Sequence, residues 1–274
     1  MANDDHDPRL PLEVVEKIID IVGAKKPKED YSNEFEDLPS LKACALVCHS
    51  FLALCRKHLF AHLILRPSSR TSDDLNDFLS NSPHLAVYIR KLDYHFNENE
   101  FLPKRLPWMS SMFKKLVKLQ KLKISYMPPE PHRRLDWMSP SERKILLPLL
   151  HLPTLTSINL LIIQNFPLAD LAGCVNLKKF ETWSLECSDD VGSFLEALPP
   201  TPVMLEKLVI YDGNVEPVQR LCHERRPDGK PIIDFSSLKK IDVAVTRLDS
   251  LTELFGLCRN LHKIVISSVS LSRV

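Results

Sequence analysis

Residues 119–124, Leu119-Gln120-Lys121-Leu122-Lys123-Ile124, carry apolar side chains at their first, fourth and sixth positions. The last two of these positions are two residues apart, which is the spacing of side chains on one face of a β-strand. Seven further segments repeat the pattern, and the complete set of triplets is Phe60-Leu63-Leu65, Ile89-Leu92-Tyr94, Leu119-Leu122-Ile124, Leu155-Ile158-Leu160, Leu177-Phe180-Thr182, Leu205-Leu208-Ile210, Leu238-Ile241-Val243 and Leu261-Ile264-Ile266. The sequence therefore predicts eight short strands of one kind.

The triplets recur at a near-regular period. Seven steps of about 29 residues separate Phe60 from Leu261, and individual steps run from 22 to 36 residues. This pattern resembles leucine-rich repeats, in which strand-then-helix units stack with the strands on the concave side and the helices on the convex side. The resemblance implies an α/β fold for residues 60–274: an irregular leucine-rich-repeat solenoid with a curved parallel sheet. A long surface of this kind favours binding over catalysis.

Start signals for helices lie between several of the predicted strands. Thr71 or Ser72 precedes one apolar set, Ser139-Pro140-Ser141-Glu142 forms a capping box, and Ser188 precedes another apolar set. Two segments interrupt the period. Residues 127–138 are predicted to loop out, and residues 223–231 are predicted to form a polar loop, either a plain surface loop or part of a binding edge.

Composition excludes several classes of protein. A net charge of +1 over 274 residues gives no overall attraction to nucleic acid or anionic membranes. No apolar run approaches the ~20 residues needed to cross a bilayer, and the acidic residues 1–9 predict a disordered N-terminus rather than a signal peptide. Seven cysteines without the paired spacing of a secreted framework predict reduced thiols, in the cytoplasm or the nucleus. Residues 270–274 contain no evident capping helix, so we expect a longer natural protein or a truncated gene model.

Residues 10–59 predict a separate helical module. At 100° per residue, the apolar side chains of residues 10–22 cover about half of a helical cylinder, more than the ~100° stripe that one core needs. We therefore expect this helix to be buried against a second neighbour, inside the chain or on a partner. The charged segment 24–40 is predicted to be a mobile loop. A second helix is predicted from Ser40 or Leu41, and a third carries Phe51 and Cys55 on one side.

Four pieces of this module, in order, resemble the F-box: Leu10-Pro11-Leu12-Glu13-Val14-Val15, Ile18-Ile19, Leu46-Val47-Cys48-His49-Ser50-Phe51 and His58-Leu59-Phe60. F-box modules dock on the Skp-type adaptor of cullin-RING ubiquitin ligases while the rest of the chain holds the substrate. By position, the resemblance implies that the adaptor-binding residues are Leu10, Pro11, Glu13, Val14, Ile18, Leu46, Val47 and Phe51. Phe51 stands where the family usually has tryptophan, and the loop 24–40 is longer than the family's typical connection.

Together the resemblances imply a non-enzymatic substrate receptor of an SCF-type E3 ubiquitin ligase, with no cofactor and with ubiquitin transfer done by other subunits. One alternative is that residues 10–60 merely cap the solenoid, since repeat arrays need caps. A second is a leucine-rich-repeat scaffold that binds a protein without any link to ubiquitin. A third, nucleic-acid binding, is disfavoured by the low net charge.

The outward face of the predicted sheet carries columns of residues between the triplets. The first column is Lys91, Lys121, Ser157, Lys179, Lys207, Lys240 and Lys263, and the third is His95, Ser125, Leu161, Trp183, Tyr211, Ala244 and Ser267. The lysines either attract an acidic or phosphorylated partner or only line a solvated strand edge, with Asp93, Glu181 and Asp242 diluting their charge. The aromatic side chains either bind a partner or are covered by a loop or by the chain's own C-terminus. The predicted substrate-binding residues are Leu161, Trp183, Val209, Tyr211, Lys179 and Lys207.

Two groupings that suggest chemistry have simpler explanations. Cys44, Cys48 and Cys55 near His49 and His58 match a buried helical stripe better than a metal site. The adjacent pair Cys222-His223 points in different directions on a helix, so it does not form a nucleophile and base. No Gly-rich phosphate loop or hydrolase motif occurs. We therefore predict no catalytic residue and no metal.

Overall fold

The computed structural model describes residues 10–24, 38–66, 71–96, 106–126, 134–137, 140–188, 199–213, 216–245 and 251–268. The chain divides into two compact units, residues 1–62 (unit 1) and residues 63–274 (unit 2). This boundary lies three residues beyond the one expected after Leu59. The predicted N-terminal disorder, most of the predicted mobile loop and the C-terminal residues 270–274 lie outside the described residues.

Unit 1 contains three helices, α1 (Leu12–Ala24), α2 (Leu38–Ala45) and α3 (His49–Leu59). They lie close to the positions that the apolar periodicity predicted, and α1 begins and ends two residues later than expected. One small core joins them, and its buried members are Val15, Ile19, Leu41 and Cys55. Each helix therefore contributes at least one side chain to a shared interior.

Gly23 allows α1 and α3 to approach each other closely. A Cβ atom at this position would collide with the imidazole ring of His58 on α3. The His58 ring in turn places Nε2 2.8 Å from Oδ1 of Asp20, and Nζ of Lys57 lies 2.8 Å from the same oxygen. Gly23 lies within α1, one residue before the end of the helix. Its role is the close packing of the two helices.

Unit 2 is built on a parallel sheet. Nine strands form it, and they are β1 (His62–Leu65), β2 (Lys91–Phe96), β3 (Lys121–Tyr126), β4 (Leu135–Asp136), β5 (Ser157–Phe166), β6 (Lys179–Cys187), β8 (Lys207–Gly213), β10 (Lys240–Val245) and β11 (Lys263–Ser268). Their spatial order is β1-β2-β3-β5-β6-β8-β10-β11, with β4 paired to β5, and the ladders from β2 to β11 are parallel. The predicted α/β class and parallel sheet are confirmed, and all eight triplets fall on or just before strands of this sheet.

Helices connect the successive strands. They are α4 (Thr71–Asn81), α5 (Leu106–Phe113), α6 (Pro140–Leu150), α7 (Glu216–His223) and α8 (Thr252–Leu257), with 3₁₀ turns at Pro83–Tyr88, Leu168–Gly173 and Phe235–Ser237. Parallel neighbours need such crossovers because the chain must return to the starting edge of the sheet. α4 and α6 begin where the start signals predicted, whereas the helix predicted after Ser188 falls outside the described residues. A second, two-stranded parallel sheet pairs β7 (Val203–Met204) with β9 (Ile233–Asp234).

A repeated backbone contact holds the strands in register. At each step, one carbonyl oxygen just before a strand accepts two N–H groups from the start of the next strand. The accepting oxygens belong to Arg90, Gln120, Thr156, Lys178, Glu206 and Lys239, and the N···O distances are 2.7–3.1 Å. Lys121, for example, lies opposite Lys91 and Ser157 as a result. The first predicted column is therefore a real row of neighbouring residues at this edge of the sheet. The third column is interrupted at Tyr211, because the β6–β8 pairing ends at Thr182 and Ile210 and the β8–β10 register shifts after Ile210.

The triplet side chains form the core of unit 2. Their middle residues are nearly inaccessible in six consecutive long-sheet strands, namely Leu92, Leu122, Ile158, Phe180, Leu208 and Ile241. On the last strand, β11, the equivalent Ile264 and Ile266 are 49% and 45% exposed. Thr182 takes the place of an apolar residue in β6. Its side chain is fully buried, and among the described residues its hydroxyl has no hydrogen-bond partner.

The expectation that residues 127–138 loop out is wrong for the end of that segment. Residues 127–133 lie outside the described residues, but β4 pairs with β5 and the Trp137 side chain is fully buried. The indole packs against Phe166 with ring centroids 4.9 Å apart, and its Nε1–H donates to Oδ2 of Asp170 at 2.8 Å. Burial of a large aromatic surface, with its one polar atom satisfied, outweighs the tendency of the proline-rich segment to project.

The polar loop 223–231 is attached to the rest of unit 2 by a buried arginine. The Arg226 side chain is 2% exposed, and its guanidinium donates to the carbonyl oxygen of Thr201 at 3.1 Å and to Oδ2 of Asp228 at 3.1 Å. The Arg226 amide also donates to the carbonyl oxygen of Lys230 at 2.8 Å. The loop is therefore held by specific hydrogen bonds, a feature that its polar composition did not reveal.

None of the helices in the described ranges is both long and apolar enough to span a lipid bilayer.

Candidate functional site

Unit 1 exposes apolar side chains that a folded domain normally buries. Five of the residues predicted to bind the adaptor are apolar and exposed, with Leu46 at 87% and Ile18 at 48%; the full set is Leu10, Val14, Ile18, Leu46 and Val47. Pro11 and Glu13 are exposed as well. Phe51 differs, because it is half-buried and packs against the core of unit 1. Seven of the eight predicted residues are thus accessible to a partner, whereas Phe51 packs partly in the interior of unit 1.

The helix α1 carries two parallel apolar stripes. Val15 and Ile19, one turn apart, face the core, and Val22 packs partly against it. The stripe one residue earlier, Val14, Ile18 and Ile21, is exposed. Positions i, i+4 and i+7 share one side of a helix, so the two stripes lie side by side about 100° apart. The wide apolar arc in the sequence is explained by one half buried within unit 1 and one half left accessible.

The turn between α2 and α3 presents the second part of the exposed surface. Backbone hydrogen bonds hold it, from the Leu46 amide to the carbonyl oxygen of Ala43 and from the Val47 amide to that of Cys44, each at 3.1 Å. Cys48 then adopts an extended backbone and caps the start of α3. The Leu46 and Val47 side chains therefore project from an ordered turn, and binding a partner would not require this turn to become ordered first.

The opposite side of α1 is polar and internally paired. Nζ of Lys57 on α3 lies 3.0 Å from Oε1 of Glu16 and 2.8 Å from Oδ1 of Asp20. The hydrogen bonds from Lys57 and His58 lower the pKa of Asp20 below its usual value, and those from Asp20 and Glu16 raise the pKa of Lys57. These charges satisfy one another within unit 1. They leave the exposed apolar stripe as the side of α1 available for docking.

On unit 2, the residues of the first column lie side by side on neighbouring strands from β2 to β11. Lys91, Lys121, Ser157, Lys179, Lys207, Lys240 and Lys263 are direct neighbours across six parallel pairings. Several of these lysines pair with a carboxylate two residues further along the same strand: Lys91 with Asp93 at 3.1 Å, Lys179 with Glu181 at 2.7 Å and Lys240 with Asp242 at 3.5 Å. The sequence predicted that carboxylates would partly neutralise the lysines, and this neutralisation comes from specific ion pairs.

The predicted aromatic patch consists of Leu161, Trp183, Val209 and Tyr211, and these side chains differ in exposure. Trp183 on β6 and Tyr211 on β8 are 52% and 50% exposed, and Leu161 on β5 is half-buried beside Trp183 in the β5–β6 register. Lys179 and Lys207 are half-buried at the other end of the same strands. Val209 is fully buried, so its assignment to the substrate-binding surface is wrong. A β-branched side chain in the crowded middle of the sheet face is covered by its neighbours.

Two residues in left-handed backbone conformation lie beside the patch. Ile162 has φ 60° and Ser184 has φ 55°, and they follow Leu161 and Trp183, which face each other in register. Left-handed backbone is unfavourable for a β-branched residue. The two neighbouring strands therefore kink at the same level. Strain of this kind persists only where the surrounding structure imposes it, and it is often found at binding surfaces.

Sequence reasoning missed two features of these surfaces. Leu12 and Ile21 also expose their side chains, at 56% and 66%, and the apolar arc of α1 already contained them. Val209 occupies the position where β6 and β10 carry a carboxylate, so Lys207 has no acidic partner in its own strand. This second feature was visible in the sequence, where β6 reads Lys-x-Glu and β10 reads Lys-x-Asp, but β8 between them reads Lys-x-Val.

The described cysteine and histidine residues lie in several different environments. Across the described ranges, no group of three or more potential metal ligands occurs. Cys55 is buried, which raises its pKa. The predicted buried stripe is wrong for Cys48, which is exposed on the turn between α2 and α3. Burial raises the pKa of Cys222 to about 12, so this thiol does not ionise near neutral pH, and its neighbour His223 pairs with Glu253 at 2.8 Å.

Neither a comparison with models of known protein families nor a search of curated proteins returned a match for this chain. Function is therefore inferred from the two surfaces themselves.

Proposed function

We propose that this protein is a substrate-recognition subunit of an SCF-type E3 ubiquitin ligase. Unit 1 is an F-box-like module that docks on a Skp-type adaptor, and unit 2 is a leucine-rich-repeat-like solenoid that binds a target protein. The chain itself is not catalytic. Its contribution is to hold the target at high effective concentration near the ubiquitin carried by other subunits.

The observation that carries the proposal is the exposed stripe of α1 together with the turn at Leu46 and Val47. A helical cap of a repeat array has a polar outer face, because its role is to end the apolar core. Unit 1 instead exposes Val14, Ile18, Leu46 and Val47 after its own core is complete. Several large apolar groups exposed on one small helical unit favour a protein-binding role. The same residues carry the sequence resemblance to the F-box, so two independent features favour docking over capping.

The repeat assignment for unit 2 is supported by its strand order and by its period. Parallel strands follow one another in chain order from β1 to β11, apart from the short β4, which is added beside β5, and β7 and β9, which form a separate pair. Consecutive strands begin about 29 residues apart on average, as leucine-rich repeats do. The exposed Trp183 and Tyr211 provide aromatic anchors of the type that dominates protein interfaces. We therefore propose the strand face of unit 2 as the target-binding surface.

Adaptor capture tests the docking half of the proposal. The 274-residue chain is mixed with purified Skp-type adaptor, and the complex is measured by pull-down and by calorimetry. A double variant Leu46→Asp, Val47→Asp is expected to weaken capture at least 100-fold, because it places two charges into an apolar contact. The variant Leu10→Ala, Pro11→Ala is expected to weaken it as well.

The matched control is Val175→Asp, which adds a charge at an exposed valine of unit 2 that is 47% accessible. This variant is expected to bind the adaptor like the parent. Circular dichroism establishes that each variant remains folded. Failure of the folded parent chain to bind the adaptor, or full binding by the Leu46→Asp, Val47→Asp variant, would refute docking. The protein would then be a leucine-rich-repeat scaffold without a link to ubiquitin.

A further inference from the structure

Lys207 differs from the lysines on either side of it in the first column. Lys179 on β6 and Lys240 on β10 each have a carboxylate two residues further along their own strand, Glu181 and Asp242. In β8 the corresponding residue is Val209, which is fully buried. The nearest carboxylate oxygen recorded for Lys207 is Oε1 of Glu181 at 3.9 Å, and this oxygen is already 2.7 Å from Nζ of Lys179.

Three ammonium groups therefore share two carboxylates at the centre of the sheet. Neighbouring strands are about 4.8 Å apart, and Lys179, Lys207 and Lys240 are in register on three of them. Burial lowers the pKa of Lys207, and the positive charges of Lys179 and Lys240 lower it further. An anion bound beside Lys207 would remove this repulsion and would complete the alternation of charges on the strand face.

The excess of positive charge extends along the row. A second column is formed by the residues two positions further along each strand: Asp93, Lys123, Asn159, Glu181, Val209, Asp242 and Val265. The first two columns together hold seven lysines, Lys91, Lys121, Lys123, Lys179, Lys207, Lys240 and Lys263, and the three carboxylates of Asp93, Glu181 and Asp242. The difference of four charges is larger than the net charge of +1 for the whole chain. The strand face is thus the place where an acidic partner is attracted.

Two exposed aromatic side chains, Trp183 and Tyr211, lie four residues along the same strands from Lys179 and Lys207. Tyr211 is four residues from Lys207 on β8, which corresponds to about 13 Å along a strand. It comes directly after Ile210, the last residue of β8 that is paired with β6. Trp183 lies at the same distance from Lys179 on the adjacent β6, and both aromatic side chains are about half exposed. A peptide in extended conformation covers the same 13 Å with about four residues. One short extended peptide can therefore contact both a lysine of the first column and an aromatic side chain on the same strand.

We propose that this strand face binds an extended acidic peptide segment, with a carboxylate or phosphate group at Lys207 and an apolar side chain about four residues away on Trp183 and Tyr211. The inference names the class of target for unit 2, and in that respect it rests on the proposed function. It does not depend on whether unit 1 docks on an adaptor. A nucleic acid fits less well, because Asp93, Glu181 and Asp242 lie among the lysines and would repel a continuous phosphate backbone.

The test is selection from a displayed library of random peptides, about 12 residues long, against the 274-residue chain without adaptor. We expect enriched peptides to contain acidic residues and, about four positions away, an aromatic or aliphatic residue. Fluorescence anisotropy on the best peptide then compares the parent with Lys207→Ala and Trp183→Ala, each of which is expected to weaken binding at least 10-fold. Versions of the peptide with glutamate or phosphoserine at the acidic position distinguish a carboxylate from a phosphate ligand.

The control for Lys207→Ala is Lys144→Ala, which removes an exposed lysine from α6 and is expected to leave binding unchanged. The Leu46→Asp, Val47→Asp variant is expected to bind the peptide normally, so loss of adaptor docking and loss of peptide binding are separable. The inference is overturned if no peptide is enriched, if enriched peptides are neutral or basic, or if Lys207→Ala binds as the parent does. Tighter binding of a labelled 20-nucleotide single strand than of any peptide would also overturn it.

Discussion

The indole of Trp137 and the carboxylate of Asp170 are joined in the interior of unit 2, where Nε1–H donates to Oδ2 at 2.8 Å. The guanidinium of Arg143 on α6 adds two further hydrogen bonds to the same carboxylate, at 2.7 and 3.1 Å. Asp170 itself lies on the 3₁₀ turn after β5 and is 3% exposed. One buried carboxylate thus links the inserted strand β4, the helix α6 and the turn that follows β5.

Replacement of Asp170 by alanine is expected to destabilise unit 2 by about 3 kcal/mol, because it leaves the Arg143 charge without its partner in a largely dry site. Trp137→Phe keeps the Asp170–Arg143 pair but removes one hydrogen-bond donor and leaves a small cavity at a fully buried site, so we expect a loss of about 2 kcal/mol. Urea denaturation followed by circular dichroism measures both free energies of unfolding. Equal effects of the two substitutions would contradict a central role for the carboxylate.

The substitution Gly23→Ala is expected to destabilise unit 1 by about 1–3 kcal/mol. Alanine is the better helix former by about 1 kcal/mol, but its Cβ would collide with the His58 ring and overpacking costs more than that gain. The ring would have to move and would leave Asp20. Gly256→Ala on α8 is the control, since a Cβ there has no neighbour within 4 Å. A thermal melt should show a lowered midpoint for the first variant and an unchanged or raised one for the second.

Asp20 makes the stability of unit 1 depend on pH in the acidic range. Its pKa in the folded protein is below the unfolded value near 3.8 because Lys57 and His58 hydrogen-bond its carboxylate. The stabilising contribution is therefore complete above the unfolded pKa and is lost as the pH falls through the folded pKa. Asp20→Asn is expected to flatten the pH dependence of the unfolding free energy below pH of about 5. Glu13→Gln, on the exposed side of the same helix, is the comparison, and a similar flattening there would count against this assignment.

Thr182→Val is expected to stabilise unit 2 by about 1 kcal/mol. The exchange keeps the shape of a fully buried side chain and removes a hydroxyl that has no hydrogen-bond partner among the described residues. Thr154 provides the opposite case, because its hydroxyl donates to the carbonyl oxygen of Leu119 at 2.7 Å. Thr154→Val is therefore expected to lose about 1 kcal/mol. Destabilisation by Thr182→Val, measured in urea, would indicate a hydrogen bond at this hydroxyl.

The regular part of the architecture could be predicted from local patterns. The spacing of Leu119, Leu122 and Ile124, which occurs in eight segments, predicted the strands. Together with the resemblance to leucine-rich repeats, it also predicted their parallel stacking and the register of the first column. The two stripes of α1 were present as a wide apolar arc around Val14 and Val15. These features depend on residues a few positions apart, so a linear sequence contains them.

Other features depend on residues that are distant in the chain. Trp137 is buried because Asp170, 33 residues later, accepts its N–H, and a proline-rich neighbourhood alone predicts a projecting loop. Arg226 reads as part of a polar loop until its contact with the carbonyl oxygen of Thr201 is known. The burial of Val209 is decided by the side chains on both adjacent strands. Contacts of this kind follow from the folded register and have no signature in a short window of sequence.

Two amides at the start of each strand donate to the carbonyl oxygen that lies just before the preceding strand of the sheet. This repeated contact has an evolutionary consequence. Lys239 stands to Lys263 as Glu206 stands to Lys240, since each carbonyl oxygen accepts two equivalent amides from the next turn. Excision of residues 240–262 would therefore join equivalent points of successive turns and bring Lys207 opposite Lys263 without a shift of register. A gene for such a chain can lose a whole turn here while the next strand still finds an acceptor, so the length of the strand face can change by recombination alone.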